Sequence, residues 1–204
     1  MVVIGLTGGI GTGKSTVSAM LADLGSVIIN ADLVGHEAYL PHQNVWEQVV
    51  AVFGRDILAD DDQVDRRKLG AIVFQDPTAL QRLNVIVHPW IFQRIAQLLD
   101  ELRGKGTRVA VVEAALLIEA GWRSLADQVW VTVAGEEQVV QRLQTRNGLT
   151  PEQVRDRMRT QLSTEERKQY ADVVIDTSGT LEDVRAMVRS LWESQVAAAL
   201  QGAP

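Results

Sequence analysis

Gly8-Gly9-Ile10-Gly11-Thr12-Gly13-Lys14-Ser15-Thr16 is the stretch on which the fold class turns. It satisfies G-x-x-x-x-G-K-[ST], the phosphate-binding loop, or P-loop. With four positions set by the pattern, a chance match in 204 residues is about a one-in-a-hundred event. Val2-Val3-Ile4-Gly5-Leu6-Thr7 before the loop reads as a buried strand. Lys14 to Leu24 after it reads as a helix with apolar Val17, Met20, Leu21 and Leu24. Glycines at 8, 11 and 13 let the backbone curl so that successive N–H groups point at a polyphosphate, and the helix N-terminus adds its positive dipole end. Lys14 reaches the β- and γ-phosphates, and the Ser15 hydroxyl is placed to ligate Mg²⁺. The competing reading, a glycine-rich turn with a surface lysine, does not explain the strand on one side and the helix on the other.

Working outward, the chain is long enough to bury a full core as one domain. It is 46% hydrophobic and 23% charged, ordinary for a soluble globular protein. No apolar run reaches the length of a membrane span, and no charged segment followed by an apolar stretch opens the chain. No cysteine is present, which excludes disulfides, thiolate metal sites and cysteine nucleophiles and suits a cytoplasmic location. A net charge of −6 argues against general nucleic-acid binding. Between Arg142 and Lys168, however, seven basic residues stand against Glu152, Asp156, Glu165 and Glu166. One basic segment in an acidic chain suggests a small polyanionic ligand met by a few arginines that have no obvious acidic partners. A solvated helix face is the alternative for most of them.

Further strands are expected at Ser26–Asn30, Arg108–Glu113, Gln128–Val133 and Asp172–Asp176. Asn44–Phe53, Arg66–Phe74 and Pro77–Leu102 read as helices. Thr150-Pro151-Glu152-Gln153 caps a helix, Ser163-Thr164-Glu165-Glu166 is a capping box, and Thr180 can cap the last helix. His36 and His42 read as surface residues, and the tail Gln201–Pro204 as frayed. The expected architecture is a single α/β domain: a three-layer P-loop fold with a five-stranded parallel sheet. Its core comprises residues 1–32, 106–141 and 169–204. A helical acceptor-binding insertion spans 33–105, and a small helical lid of loosely held helices spans 142–168.

A P-loop specifies a nucleotide phosphate; the acceptor decides the reaction. Asp32 follows the second strand, where a carboxylate can orient or deprotonate an attacking hydroxyl. Its bland alternative is a helix cap. Asp32-Leu33-Val34-Gly35 also mimics the D-x-x-G of GTPases, but no [NT]-K-x-D supports guanine specificity. Glu113 ends the third strand, where an acidic residue stands near the Mg²⁺ shell. Glu119 reads equally as a surface charge, and His88, beside Ile86, Val87 and Ile91, as a satisfied core residue.

The whole chain resembles the dephospho-coenzyme A kinase family. The opening I-G-L-T-G-G-I-G-T-G-K-S-T is similar to that family's P-loop, and Asn30-Ala31-Asp32 to its D-A-D acceptor motif. Arg66, Leu69 and Phe74 fall on its R-x-x-L-x-x-x-x-F stretch. Leu83-Asn84-Val85-Ile86-Val87-His88-Pro89-Trp90-Ile91 resembles L-N-x-x-x-H-P-x-I, the most family-specific signature. Arg142, Arg146 and Gln161 fall on the lid pattern, and Leu116-Leu117-Ile118-Glu119 resembles P-L-L-x-E. Asn30 replaces the motif's first aspartate, Ala115 replaces a proline, Glu113 stands where many members carry Asp, and Thr177 replaces an asparagine near the nucleotide base.

The resemblance implies ATP-dependent phosphorylation of the ribose 3′-hydroxyl of dephospho-coenzyme A, with Mg²⁺. ATP would be bound by Gly8, Gly11, Thr12, Gly13, Lys14, Ser15, Thr16 and Arg142. Lys14, Asp32, Arg142 and Arg146 would be catalytic. Asp32, Arg66, His88, Leu116 and Glu119 would hold the acceptor, and Ser15 would bind the metal with Glu113 acting through water. The partners expected are these two substrates alone, with no nucleic acid, membrane or obligate protein partner, and a monomer. Another small-molecule kinase and an ATP-driven switch remain the rivals at this stage.

Overall fold

A computed structural model describes residues 1–41, 43–197 and Leu200. His42 and the tail 201–204 lie outside the described residues. The chain divides into two compact units, one formed by 1–30 with 99–204 and the other by 31–98.

The first unit holds five parallel strands: β1 (Val2–Gly8), β2 (Val27–Asn30), β3 (Val109–Glu113), β4 (Gln128–Val133) and β5 (Val173–Asp176), in the order β2-β3-β1-β4-β5. β1 is flanked by β3 and β4, so the strand order reverses beside it. Open parallel sheets bind ligands at the carboxyl ends of strands at that kind of switch point, and there the P-loop emerges. β3 is buried at every position, as a strand covered on both faces must be. One face of the sheet buries Ile4, Leu6, Val111, Trp130 and Ile175 against Val17, Met20 and Leu21 of α1 (Lys14–Asp23). Val184 and Val188 of α9 (Leu181–Leu191) join the same cluster. Trp130 is fully buried, and its indole N–H donates to Gln128 Oε1 at 3.0 Å, so its polar atom is satisfied.

The second unit is helical: α2 (Ala31–Glu37), α3 (Asn44–Phe53), α4 (Arg66–Val73) and most of α5 (Pro77–Gly104). Asp65 caps α4 by accepting from Arg67 N and Lys68 N. α5 buries Ala79, Leu83, Val87, Ile91, Ile95 and Leu99, a stripe at intervals of four. Pro89 interrupts its hydrogen bonds by leaving the Val85 carbonyl without a donor. Both residues are exposed, and the helix continues through them.

Three helices fill the span between β4 and β5 in the first unit: α6 (Glu136–Asn147), α7 (Pro151–Arg159) and α8 (Thr164–Lys168). Thr150 with Gln153, Ser163 with Glu166, and Thr180 with Asp183 form reciprocal capping boxes for α7, α8 and α9. The expected looseness of this segment needs correction. Val139, Leu143 and Val154 make a buried apolar cluster, with Leu149, Met158 and the P-loop's own Ile10 packed against it.

Candidate active site

The P-loop is held from outside, carbonyl by carbonyl. Lys14 Nζ donates to Gly8 O at 3.1 Å, and Thr12 Oγ1 to Gly9 O at 2.8 Å. Arg142 Nη1 donates to Gly11 O at 3.3 Å, and Thr177 Oγ1 to Thr12 O at 2.9 Å. Two glycines are required by space. A Cβ on Gly8 would lie 2.7 Å from both Thr12 Oγ1 and Thr132 O, and one on Gly11, at φ +74°, would meet Val139 Cγ1 at 2.9 Å. The Ile10 N–H, at the loop's tip, donates to Gln161 Oε1 at 2.9 Å. The amides of the first turn of α1 have no preceding helical carbonyl to bond, which makes that end an anion site.

Ser15 and Glu113 meet at the end of this cradle, with Ser15 Oγ donating to Glu113 Oε1 at 3.2 Å. Glu113 is buried at the end of β3. A hydroxyl and a carboxylate are hard oxygen donors and fit Mg²⁺, which keeps several waters and takes its remaining ligands from substrate phosphates. Among the described residues no group of three or more His, Cys, Asp or Glu could hold a metal ion.

A cavity of about 670 Å³ opens over the loop. Gly9 to Thr16 form its floor, and Arg142, Arg146, Thr177, Gly179, Leu181 and Val184 contribute to its walls. The sequence-predicted Gly11, Thr12, Gly13, Lys14, Ser15, Thr16, Arg142 and Arg146 are therefore brought together in the first unit. Gly8 supports them from beneath through its carbonyl. Arg142 is fastened by Gly11 O, by Thr177 Oγ1 at 3.0 Å and by Thr177 O. Arg146 is exposed, with Nε on Asn147 Oδ1 at 2.8 Å.

The idea that the arginines of 142–168 lack acidic partners is also corrected. Arg155 pairs with Glu136 at 2.7 Å, Arg159 with Asp156 at 2.9 Å and Lys168 with Glu165 at 2.8 Å, all exposed contacts of small energetic weight. Arg167 differs. Its side chain is 2% exposed and its Nη2 meets Glu119 Oε1 at 2.6 Å, while Nε donates to Leu162 O and Nη1 to Ala115 O. The loop after β3, with exposed Leu116 and with Glu119, is thus tied to α8 inside the first unit.

The remaining acceptor candidates lie in the second unit. Asp32 stands in the first turn of α2, directly after β2, whose last residue Asn30 is in register with Glu113. Asp32 and His36 are four residues apart on α2 and so share a face. Burial and the Arg66 guanidinium lower the His36 pKa, while the Asp32 carboxylate pulls it back up. Burial raises the Tyr39 pKa and Arg66 opposes it. Asp32, His36, Tyr39 and Arg66 therefore form one electrostatic neighbourhood. His88 is half-buried on α5, and burial lowers its pKa.

Gln161 and Thr177 are the P-loop supports whose tasks the sequence did not disclose. His36 is the unrecognised neighbour of Asp32; its spacing of four from that carboxylate was the available signal.

The model of the dephospho-CoA kinase family matches residues 2–183. The chain is 41% identical over 196 residues to the dephospho-CoA kinase of Dehalococcoides mccartyi, covering 96% of this chain and 98% of that one. It is 43% identical over 192 residues to that of Geobacter sulfurreducens, covering 94% and 98%. Among solved structures it is similar to the dephospho-CoA kinase from Campylobacter jejuni, with a TM-score of 0.73 and 26% identity over 97% of this chain and 98% of that one.

Proposed function

We propose a division of labour for this chain, which belongs to the dephospho-CoA kinase family. It transfers a phosphoryl group from ATP to the ribose 3′-hydroxyl of dephospho-coenzyme A, the final step of coenzyme A synthesis. The P-loop amides and Lys14 hold the β- and γ-phosphates, with Gly8, Gly11, Gly13 and Thr12 shaping the loop and Thr16 completing its end. Ser15 would hold Mg²⁺, and Glu113, which accepts from the Ser15 hydroxyl, would act on the ion through water. The ion, when bound, neutralises charge on the β- and γ-phosphates. Leu181, Val184 and Gly179 offer an apolar wall for the base, with the guanidinium of Arg142 along its edge.

Asp32 orients the acceptor hydroxyl and takes its proton. Because phosphoryl transfer passes through a loose transition state, alignment and charge stabilisation outweigh the base strength of Asp32. Arg146, exposed at the cavity wall, adds positive charge to the transferring group. Arg66 and His88 hold the acceptor from the helical unit, and Leu116 and Glu119 present the loop after β3 to it. The observation that supports this assignment most directly is the register of Asn30 with Glu113. It sets the end of β2 level with the carboxylate beside Ser15, and the chain then runs straight into Asp32.

The protein works as a cytoplasmic monomer on these two substrates, with no nucleic-acid, membrane or protein partner in the cycle. Among the described residues no helix is long and apolar enough to cross a membrane. Radiolabelled ATP with a panel of dephospho-coenzyme A, AMP, CMP and shikimate tests the reading. Phosphate should pass to dephospho-coenzyme A far faster than to the others. Equal or better transfer to any of the other three, or ATP turnover indifferent to acceptor, overturns it.

A further inference from the structure

Thr177 stands just past β5, 3% exposed, and no step of the reaction described above uses it. Its hydroxyl nevertheless sits at a junction. Oγ1 accepts from Arg142 Nη1 at 3.0 Å and lies 2.9 Å from Thr12 O and 3.2 Å from Val133 O. A threonine hydroxyl has one proton to give. Val133 O already receives the Thr177 backbone N–H at 2.9 Å, so the hydroxyl proton goes to the shorter contact, Thr12 O. The positive charge of Arg142 on the other side of Oγ1 polarises the O–H and strengthens that donation.

The consequence lies in the peptide that joins Thr12 to Gly13. A trans peptide is planar, and its C=O and N–H point in opposite directions. Turning Thr12 O onto Thr177 therefore turns the Gly13 N–H the opposite way, away from Thr177, on a loop whose residues 9 to 16 line the cavity. Gly13, at φ +83°, cannot set that orientation through a side chain of its own. Thr177 also limits the space beside it: a Cβ on Gly13 would lie 3.3 Å from Thr177 Oγ1 and 3.4 Å from its Cγ2.

We propose that Thr177 is a positioning residue: its hydroxyl, charged by Arg142, holds the Thr12–Gly13 peptide with the amide aimed at the nucleotide's phosphates. Thr177 is part of the same cavity wall, but in this role it acts through the Thr12–Gly13 peptide. It acts by removing the freedom of one peptide to rotate, so that ATP meets a donor already in place rather than one it must turn. The inference rests on the P-loop as the ATP site, but not on which alcohol is phosphorylated.

The experiment compares Thr177→Val, which keeps shape and removes the hydroxyl, with Thr177→Ser, which keeps the hydroxyl. Calorimetric titration with MgATP requires no acceptor, so its result is separate from the outcome of any acceptor panel. Thr177→Val should weaken MgATP binding about tenfold, the scale of one hydrogen bond to a charged group, and raise KM for ATP to match. KM for dephospho-coenzyme A and Tm should stay near wild type, and Thr177→Ser should bind MgATP within about twofold of wild type. Unchanged MgATP affinity in Thr177→Val overturns the proposal. So does a valine variant that loses Tm and affinity for both substrates together, since that is a packing defect. So does failure of Thr177→Ser to restore MgATP binding while its Tm is normal.

Discussion

Around the P-loop, the carbonyls of Gly8, Gly9, Gly11 and Thr12 each accept a side-chain hydrogen bond, and the tip amide of Ile10 is capped by Gln161. On α2 and α4, by contrast, Asp32, His36 and Arg66 are all exposed, and Phe74 at the end of α4 is 83% exposed. One region is assembled before any substrate arrives; the other keeps its functional groups in water. Under the proposed roles, the difference follows from what each must do. Dipoles aimed at phosphate accelerate transfer only if they need no reorganisation at the moment of reaction, which requires a rigid backing. Groups that receive a large acceptor keep their hydration until it binds and are ordered at the expense of its binding energy.

The largest effect should come from crossing that divide with two substitutions. Asp32→Asn keeps shape and loses charge, and is expected to lower kcat by about 10²–10⁴ while MgATP affinity stays nearly intact. Lys14→Ala removes a charge from the preassembled side and should lower both turnover and MgATP affinity, with kcat falling about 10²–10³. Steady-state kinetics with each substrate varied separates the two patterns. Wild-type kcat in Asp32→Asn would return that residue to the role of a residue in the first turn of α2, and the contrast between the regions would lose its functional meaning.

A smaller effect is expected at the seam between the loop after β3 and α8. Breaking a buried ion pair by removing one partner costs about 3–5 kcal/mol. Glu119, with its side chain 23% exposed, lets water in, so about 2 kcal/mol is a fairer expectation for Glu119→Gln. In a chain of this size that is about 4–8 °C in Tm. If Glu119 also touches the acceptor, KM for dephospho-coenzyme A will rise in the same variant. A fall in Tm with unchanged KM assigns Glu119 to the anchor alone, and no change in either sinks the buried pair as a stabilising contact.

These contacts mark the boundary of what could be read from the sequence. The strand–loop–helix opening, the capping boxes at Thr150, Ser163 and Thr180, and the bounds of α3 and β4 are local, written in residues a few positions apart. The supports of the P-loop are not local. Gln161 reaches Ile10 across 151 positions, Thr177 reaches Thr12 across 165, and Arg167 finds Glu119 across 48. Counting charges within 142–168 could not see Glu136 and Glu119, the partners of Arg155 and Arg167, whereas Asp156 and Glu165 stand three residues from Arg159 and Lys168 and were within its reach. Thr177 was legible only as a departure from a family pattern, because its hydroxyl acquires its task from the fold.

The finest test of the comparison uses the imidazoles of the second unit. His36 is pulled two ways: burial and Arg66 lower its pKa and Asp32 raises it. In an NMR titration, Asp32→Asn should therefore move the His36 pKa further down, and Arg66→Ala should move it up. His88, on α5 and lowered by burial, serves as the comparison: neither Asp32 nor Arg66 is a cause of its shift, so it should respond to neither substitution. The sign for stability is the same at both sites. A histidine whose folded pKa lies below the unfolded value of about 6.5 binds fewer protons folded than unfolded as the pH drops through that value. Acidification below about 6.5 then destabilises the fold, and the loss grows until the folded pKa is reached. The distinction between the two residues is in the charges that act on them. Two charges act on His36, so its pKa should also shift when salt screens Arg66 and Asp32. If His36 ignores both substitutions and salt, the charges on α2 and α4 do not act as one neighbourhood, and Asp32 must orient its hydroxyl without Arg66 beside it.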